Sequence, residues 1–258
     1  MQDTVYRFNV PCTLALVSDL HDHPADDVIS SLRRHRPELI CIPGDLFQGF
    51  RPWKERTAEN YSKNVLSLIE ACRGIAPVFL SLGNHEWMLT LADTDWLRSL
   101  GCTVLDNSWA RCGGLVIGGL TSAHVTNARD LIAAGTPHYP KRDYFHKDQL
   151  VPDLGWLDEF ERQPGYRILL CHHPEYWPRY LRGRQFDLIL SGHAHGGQIR
   201  LFGQGLFSPG QGLFPRYSAG VHGNMIISRG LSNTGGVVPR LFNPTEIVYI
   251  TRDPEAFS

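Results

Sequence analysis

Apolar and polar positions fall in alternating blocks along the chain. Short apolar runs at Thr13–Ser18, Glu38–Ile42 and Pro77–Ser81 read as strands, each followed by a longer segment at helical spacing. Helices are predicted over Ala25–His35, over Trp53–Arg73 and over Thr94–Leu100. In the second of these, Tyr61, Val65, Leu68, Ile69 and Cys72 share a face and Gly74 provides the stop. Strand-then-helix alternation implies parallel strands joined by crossovers.

The second half is less regular. Strands are expected at Thr103–Leu105 and Leu115–Gly119, separated by a tight turn at Cys112, Gly113 and Gly114, and again at Arg167–Cys171 and Phe186–Leu190. Thr121–Arg142 reads as irregular, and a helix is predicted over His146–Arg162. Short strands follow at Gln198–Leu201, Met225–Ser228 and Glu246–Thr251. Gly203–Gly223, rich in Gly, Pro and aromatics, reads as an ordered loop. With no repeat and no low-complexity linker, the expectation is one α/β domain over residues 1–258, its core about 13–251, with two packed sheets and helices outside.

Composition adds limits. At 42% hydrophobic, 258 residues can form a large core. A formal net charge of −1 gives no global field toward nucleic acid or an anionic membrane. No run approaches the roughly 20 apolar residues of a membrane span. Met1 to Pro11 carries Asp3, Arg7 and Asn9 rather than a basic start and an apolar run, so a cytoplasmic protein is expected, although a form trimmed of an export segment would read the same. The cysteines have no metal-site spacing and read as free thiols.

Polar clusters follow five of the apolar runs: Asp19-Leu20-His21, Gly44-Asp45, Gly83-Asn84-His85-Glu86, His172-His173, and Gly192-His193-Ala194-His195-Gly196-Gly197. Ligands of open α/β sheets bind at the carboxyl ends of strands, so these clusters should meet on one rim. Imidazole and carboxylate together suit divalent transition metals. Asp-x-His and His-x-His would aim both side chains the same way on an extended segment. Each cluster alone has an ordinary reading as a turn, a cap or a solvated histidine; the ordered set does not.

That set resembles the calcineurin-like metallophosphoesterase superfamily, and Gly192-His193-Ala194-His195-Gly196-Gly197-Gln198 resembles the final motif of a bacterial subgroup. The resemblance implies a four-layer sandwich of two mixed sheets flanked by helices. It also implies two divalent or mixed-valence transition-metal ions, manganese or iron ahead of zinc. Asp19, His21, Asp45 and His195 would hold the first ion, and Asp45, Asn84, His172 and His193 the second, with Asp45 bridging. A bridging hydroxide would attack the phosphoester or pyrophosphate bond of a small-molecule substrate. His85 would contact a phosphoryl oxygen or protonate the leaving group. Gln48 stands where the family often carries a second Asp. A nuclease, or a catalytically silent scaffold of the same fold, is the competing reading.

Other residues stay open at this point. Glu86 either orients His85 or favours the start of a helix. Asp22 and His23 read as solvated loop residues or as facing substrate, and His173 as structural, pointing away from His172. His124 could reach the rim; His35, His138, His146 and His222 read as surface. Phe202, Leu206, Phe207, Leu213, Phe214, Pro215 and Tyr217 either wall a substrate pocket or cover the core. Arg216 and Arg229 are candidates for phosphate contact or for salt bridges.

Overall fold

The structure is a computed structural model that describes residues 1–48, 62–135, 150–232 and 239–253. Strands β1 (Gln2–Phe8), β2 (Leu14–Leu16), β3 (Leu39–Ile42), β4 (Val78–Ser81) and β5 (Cys102–Leu105) belong to the first sheet, with helices α1 (Asp26–His35), α2 (Lys63–Arg73) and α3 (Leu91–Ser99) between them. Strands β6 (Ser108–Cys112), β7 (Leu115–Leu120), β8 (Tyr166–Cys171) and β9 (Leu188–Ser191) start the second, with α4 (Ala123–Ala133) and α5 (Leu157–Glu161) between them. Two small hairpins follow, β10 (Arg200–Leu201) with β11 (Gln204–Gly205) and β12 (Phe207–Ser208) with β13 (Gly212–Leu213). Strands β14 (Gly220–His222) and β15 (Met225–Ile227) complete the second sheet, and β16 (Glu246–Arg252) returns to the first.

The sheet orders are β1-β16-β2-β3-β4-β5 and β14-β15-β9-β8-β7-β6. Strands β2 to β5 run parallel, as do β7, β8, β9 and β15; β16 is antiparallel to β2, which makes the first sheet mixed. Strands β2, β3, β4 and β9 are buried along their whole length, because both sheet faces are covered. One core packs Leu14, Leu16, Cys41 and Phe79 against Ile117, Ile168, Leu170 and Leu190, between the sheets. A second places Val28, Leu32, Leu68, Ile69 and Leu97 of the helices on Ala15, Ile40 and Leu80. A third sets Leu157, Phe160 and Leu181 on Val116, Leu169 and Ile189. Three cores separate four layers, helix–sheet–sheet–helix. Among the described residues no helix is long and apolar enough to cross a membrane, and Cys12, Cys41, Cys72, Cys102, Cys112 and Cys171 are free.

Several elements differ from the sequence reading. Strands β1 and β6 were not expected; both are partly exposed edges that gain their strand geometry from pairing with β16 and β7. Thr121–Arg142 is not irregular where it is described: Ser122 caps α4 by accepting from the His124 N–H. Val125 and Ala128 bury one narrow face there, too short a stripe to stand out among exposed Ala and polar residues. In His146–Arg162 the described helix is only Leu157–Glu161, since Pro152 and Gly155 interrupt the pattern before it. The Gly203–Gly223 stretch, read as a loop, carries β11, β12, β13 and β14. Residues 53–61 of the predicted second helix, 136–142 of the irregular stretch, and His138 and His146 lie outside the described residues.

Candidate metal centre

The carboxyl ends of β2, β3 and β4 from one sheet and β8 and β9 from the other meet at one rim. Their polar residues do not continue the strand pleat. Asp19, His21, Asp45, His193 and His195 have left-handed backbone (φ 59, 49, 56, 64 and 45°). Asp, Asn and His tolerate that region better than other side chains. Tight turns, not the extended alternation expected from the sequence, therefore aim these side chains inward. Close backbone packing supports the turns: a Cβ on Gly83 would overlap the Asp45 carboxylate, and one on Gly192 would overlap Ser18 and Asp19.

Two clusters result. Asp19, His21 and His195 bring ligand atoms within 4.8 Å of one another, and so do Asp45, His172 and His193. Asp45 connects them, its Oδ2 lying 3.7 Å from His21 Nε2 and 3.0 Å from His172 Nε2. Asp19 Oδ1 is 3.4 Å from His195 Nε2 and 3.8 Å from His172 Nε2. Asn84 is buried on the turn after β4. His85 shares a third cluster with His21 and Asp45, and its ring meets that of His21 edge-on at 4.4 Å. All these residues are at least nine-tenths buried.

The donor set fits divalent cations. The ring nitrogens of His21 and His172 are buried without an aligned hydrogen bond, which native interiors rarely leave uncompensated. Burial opposes ionisation of Asp19 and Asp45, but the imidazoles of His195, His21 and His172 around one and of His172, His85 and His21 around the other hold both well below the usual carboxylate range. Burial also works against a charged His172, yet Asp45 and Asp19 raise it to about 9. Burial lowers His85 to about 3 and His195 to about 4. Without cations, then, a protonated His172 supplies part of the positive charge the carboxylates require.

Supporting contacts fix the candidate ligands. His195 Nδ1 donates to the Ser232 carbonyl (3.3 Å), which leaves the Nε2 lone pair facing Asp19. Ser232 Oγ donates to the Asp19 carbonyl (2.8 Å). His193 N–H donates to Asp19 Oδ1 at 3.0 Å. Glu86 does more than start a helix. Its Oε2 accepts from Gly83 N–H and Asp45 N–H, each at 2.8 Å, and its Oε1 from Phe47 N–H at 3.2 Å, so it straps two strand-end loops together. Burial and the Asp45 charge raise its pKa to about 7. Glu86→Ala should destabilise the protein by about 3 kcal/mol or more, since each buried N–H left unmatched costs about 1–3 kcal/mol. Urea unfolding of the metal-free protein measures this; an unchanged midpoint would show that Glu86 does not hold the two loops together.

The remaining expectations divide. His173 is structural in its bonds, with Nε2 on Ser122 Oγ (2.8 Å) and Nδ1 on Glu175 Oε1 (3.1 Å), although its ring lies only 4.2 Å from that of His193. His124 does reach the rim, lining a small cavity with His173, Glu175, Tyr176, Arg179 and His193. Asp22 accepts from Gln48 N–H, while His23 is exposed. Arg229 takes the salt-bridge role, 2.7 Å from Glu246. His35 is an exposed residue stacked on Tyr249, and His222 is half-buried against the Ala219 carbonyl. The late apolar residues split: Tyr217 packs on the third core and Pro215 is buried, whereas Phe202, Phe207, Leu213 and Phe214 are exposed and do not cover the core. Sequence reasoning missed Glu175, Ser232 and Arg240, whose Nη1 donates to the Ser232 carbonyl at 2.9 Å. The Pro174-Glu175 pair beside His173 was the one local signal, as a buried acid within a histidine cluster.

The family model for calcineurin-like phosphoesterases matches residues 12–197, which run from the strand before Asp19 past His195. The chain belongs to the calcineurin-like phosphoesterase family. Within it, the chain is 29% identical over 238 residues to the uncharacterized metallophosphoesterase Cj0846 of Campylobacter jejuni, covering 91% of this chain and 56% of that protein. It is 27% identical over 201 residues to the uncharacterized protein YpbG of Bacillus subtilis, covering 77% and 66%. It is 26% identical over 210 residues to phosphodiesterase YaeI of Escherichia coli, covering 74% and 63%. This calcineurin-like phosphoesterase chain thus spans about half to two thirds of the length of these relatives.

Proposed function

We propose that the chain hydrolyses phosphoester or pyrophosphate bonds with two divalent or mixed-valence transition-metal ions, manganese or iron ahead of zinc. In this reading Asp19, His21, Asp45 and His195 hold one ion, and Asp45, Asn84, His172 and His193 the other. The observation that carries it is the position of Asp45 between the two clusters, 3.7 Å from His21 and 3.0 Å from His172. One carboxylate with two oxygens is suited to serve two cations and to offset their repulsion. When bound, such ions polarise phosphoryl oxygens and make a water-derived nucleophile available at neutral pH.

The chain's own residues do the rest. Asp19 and Asp45 only partly balance two dications, so the site keeps a net positive charge toward an anionic phosphate. Asp45 Oδ1 accepts the His85 backbone N–H at 2.8 Å, which fixes His85 relative to the bridging carboxylate. His85, neutral at pH 7, is placed to donate its ring N–H to a phosphoryl or leaving-group oxygen. The YaeI relative, named a phosphodiesterase, supports a small phosphodiester as substrate; a lipid- or nucleotide-linked phosphate is the other form of this proposal. Hydrolysis of a chromogenic phosphodiester in Mn²⁺, beside a monoester and a nucleoside diphosphate-linked compound, tests the reading. Turnover of at least one, abolished by chelator, is expected; no turnover of any in Mn²⁺, Fe²⁺ or Zn²⁺ would refute it.

Metal binding should also release a proton. His172, raised to about 9, is charged at pH 7 in the metal-free chain and must be neutral to ligate. Affinity should therefore rise as pH rises toward about 9 and level off above it, by up to about tenfold per pH unit. Calorimetric Mn²⁺ titrations in buffers of different ionisation enthalpy should give at least about one proton released per chain at pH 7, the His172 proton adding to any lost by metal-bound water. Zero release at pH 7 would contradict the pairing of His172 with Asp45.

A further inference from the structure

Residues 188–245 contain no Asp or Glu, yet include Arg200, Arg216, Arg229 and Arg240. With 26 acidic residues in 258 and a net charge of −1, the whole chain hides this local field. Arg229 is neutralised by Glu246. Among the described residues, Arg200, Arg216 and Arg240 form no ion pair. Arg200 Nη1 donates to the Gly196 carbonyl (2.8 Å), and Arg240 to the carbonyls of Ser232 (2.9 Å) and Arg229 (2.7 Å), contacts that fix the side chains; Glu246 acts on both, and Asp19 on Arg240, only from beyond ion-pair distance. Arg216 is exposed, its guanidinium 5.6 Å from the Tyr217 ring centre.

The same stretch turns large apolar side chains to solvent. Phe202 is fully exposed, Phe242 is 78% exposed, Leu213 68%, Phe214 66% and Leu201 55%. These belong to adjoining backbone. Arg200 N–H donates to the Leu241 carbonyl (3.0 Å), Leu206 N–H to that of Ile199 (2.8 Å), and Phe214 N–H to that of Leu206 (2.8 Å). Phe202, Phe214 and Phe242 each sit in left-handed backbone (φ 51, 53 and 52°), where glycine or asparagine would fit with less strain. The aromatic rings therefore crown turns. Scattered exposed apolar residues are ordinary, but several on adjoining turns mark an interaction surface.

We propose that the hairpins of residues 200–214, with Leu241 and Phe242, dock on an anionic lipid surface. Aromatic rings are favoured at the headgroup level of a bilayer, and arginines beside them are drawn to anionic headgroups. Separate projecting rings can enter a bilayer without the shape match a protein partner demands. A second copy of this chain fits poorly, because an isologous contact would set arginines against arginines with no acid in the stretch to answer them. The face also borders the metal centre. Asn243 Nδ2 donates to the His195 carbonyl at 2.7 Å, and Gly210 packs so closely on Glu175 that an added Cβ would overlap its carboxylate. Docking would thus bring the rim of the site to the headgroup plane.

Co-sedimentation with vesicles tests this, and it reads binding without any turnover. The full chain should pellet with phosphatidylcholine vesicles containing phosphatidylglycerol and stay free of pure phosphatidylcholine vesicles. The pair Phe202→Ser and Phe242→Ser should weaken that binding by about tenfold or more at unchanged melting temperature, and Arg216→Glu should weaken it as well. The proposal is overturned if the full chain ignores both vesicles, or if it binds them equally. It is also overturned if the serine pair abolishes a concentration-dependent dimer, seen by sedimentation velocity, while the full chain binds no vesicle.

Discussion

Asp45→Asn should leave the protein unable to hold its two ions and should lower kcat/KM by about 10³-fold or more, because the residue would serve both cation sites at once. The amide keeps one carbonyl oxygen, loses the negative charge and presents an NH₂ that repels a cation. Its neighbours sharpen the effect. The Asp45 side chain faces His21 and His172 and holds the His85 backbone, so a rotated amide disturbs every one of these relationships. The metal-free variant should nonetheless fold, since the substitution removes a buried negative charge that lies beside Glu86. Elemental analysis after Mn²⁺ loading, with a melting curve of the metal-free form, checks both halves. Two ions retained in the variant would remove Asp45 from the bridging position.

His85→Asn should give the opposite split. The imidazole lies against His21 and Asp45, but it is the backbone N–H, not the ring, that Asp45 Oδ1 engages, and asparagine keeps that N–H. Both ions should remain while kcat falls by about 10²-fold or more, the usual consequence of losing a donor aimed at a developing charge. Metal content and single-turnover kinetics separate the two effects. Loss of metal would make His85 a ligand, and full activity would make it a packing residue.

The rim that gathers the candidate site was legible because a parallel strand announces its carboxyl end. Apolar runs such as Leu14–Leu16 and Leu39–Ile42 are buried on both faces, and the first polar residues after them must lie on the rim. Asp19, Asp45, Asn84, His172 and His193 follow β2, β3, β4, β8 and β9 in this way. The turn geometry was not legible, since left-handed backbone at Asp19 or His195 leaves no alternation to read. Nor were contacts made across the chain. Glu86 reaches Asp45 over 41 residues and Ser232 reaches Asp19 over 213, and neither separation has a local pattern. Strand β1 escaped because only its partner β16 makes an exposed, mixed segment extended. Helix α4 escaped because a small Ala-rich face carries little periodic signal.

Two cations held by residues from both sheets are proposed to carry the chemistry. Stripping the protein with chelator and titrating Mn²⁺ back, with bound metal and phosphodiester hydrolysis read on the same samples, tests it most directly. Activity should be absent in the stripped protein and should saturate as two ions bind per chain. Full turnover in the stripped protein, or saturation with a single ion bound, would contradict it.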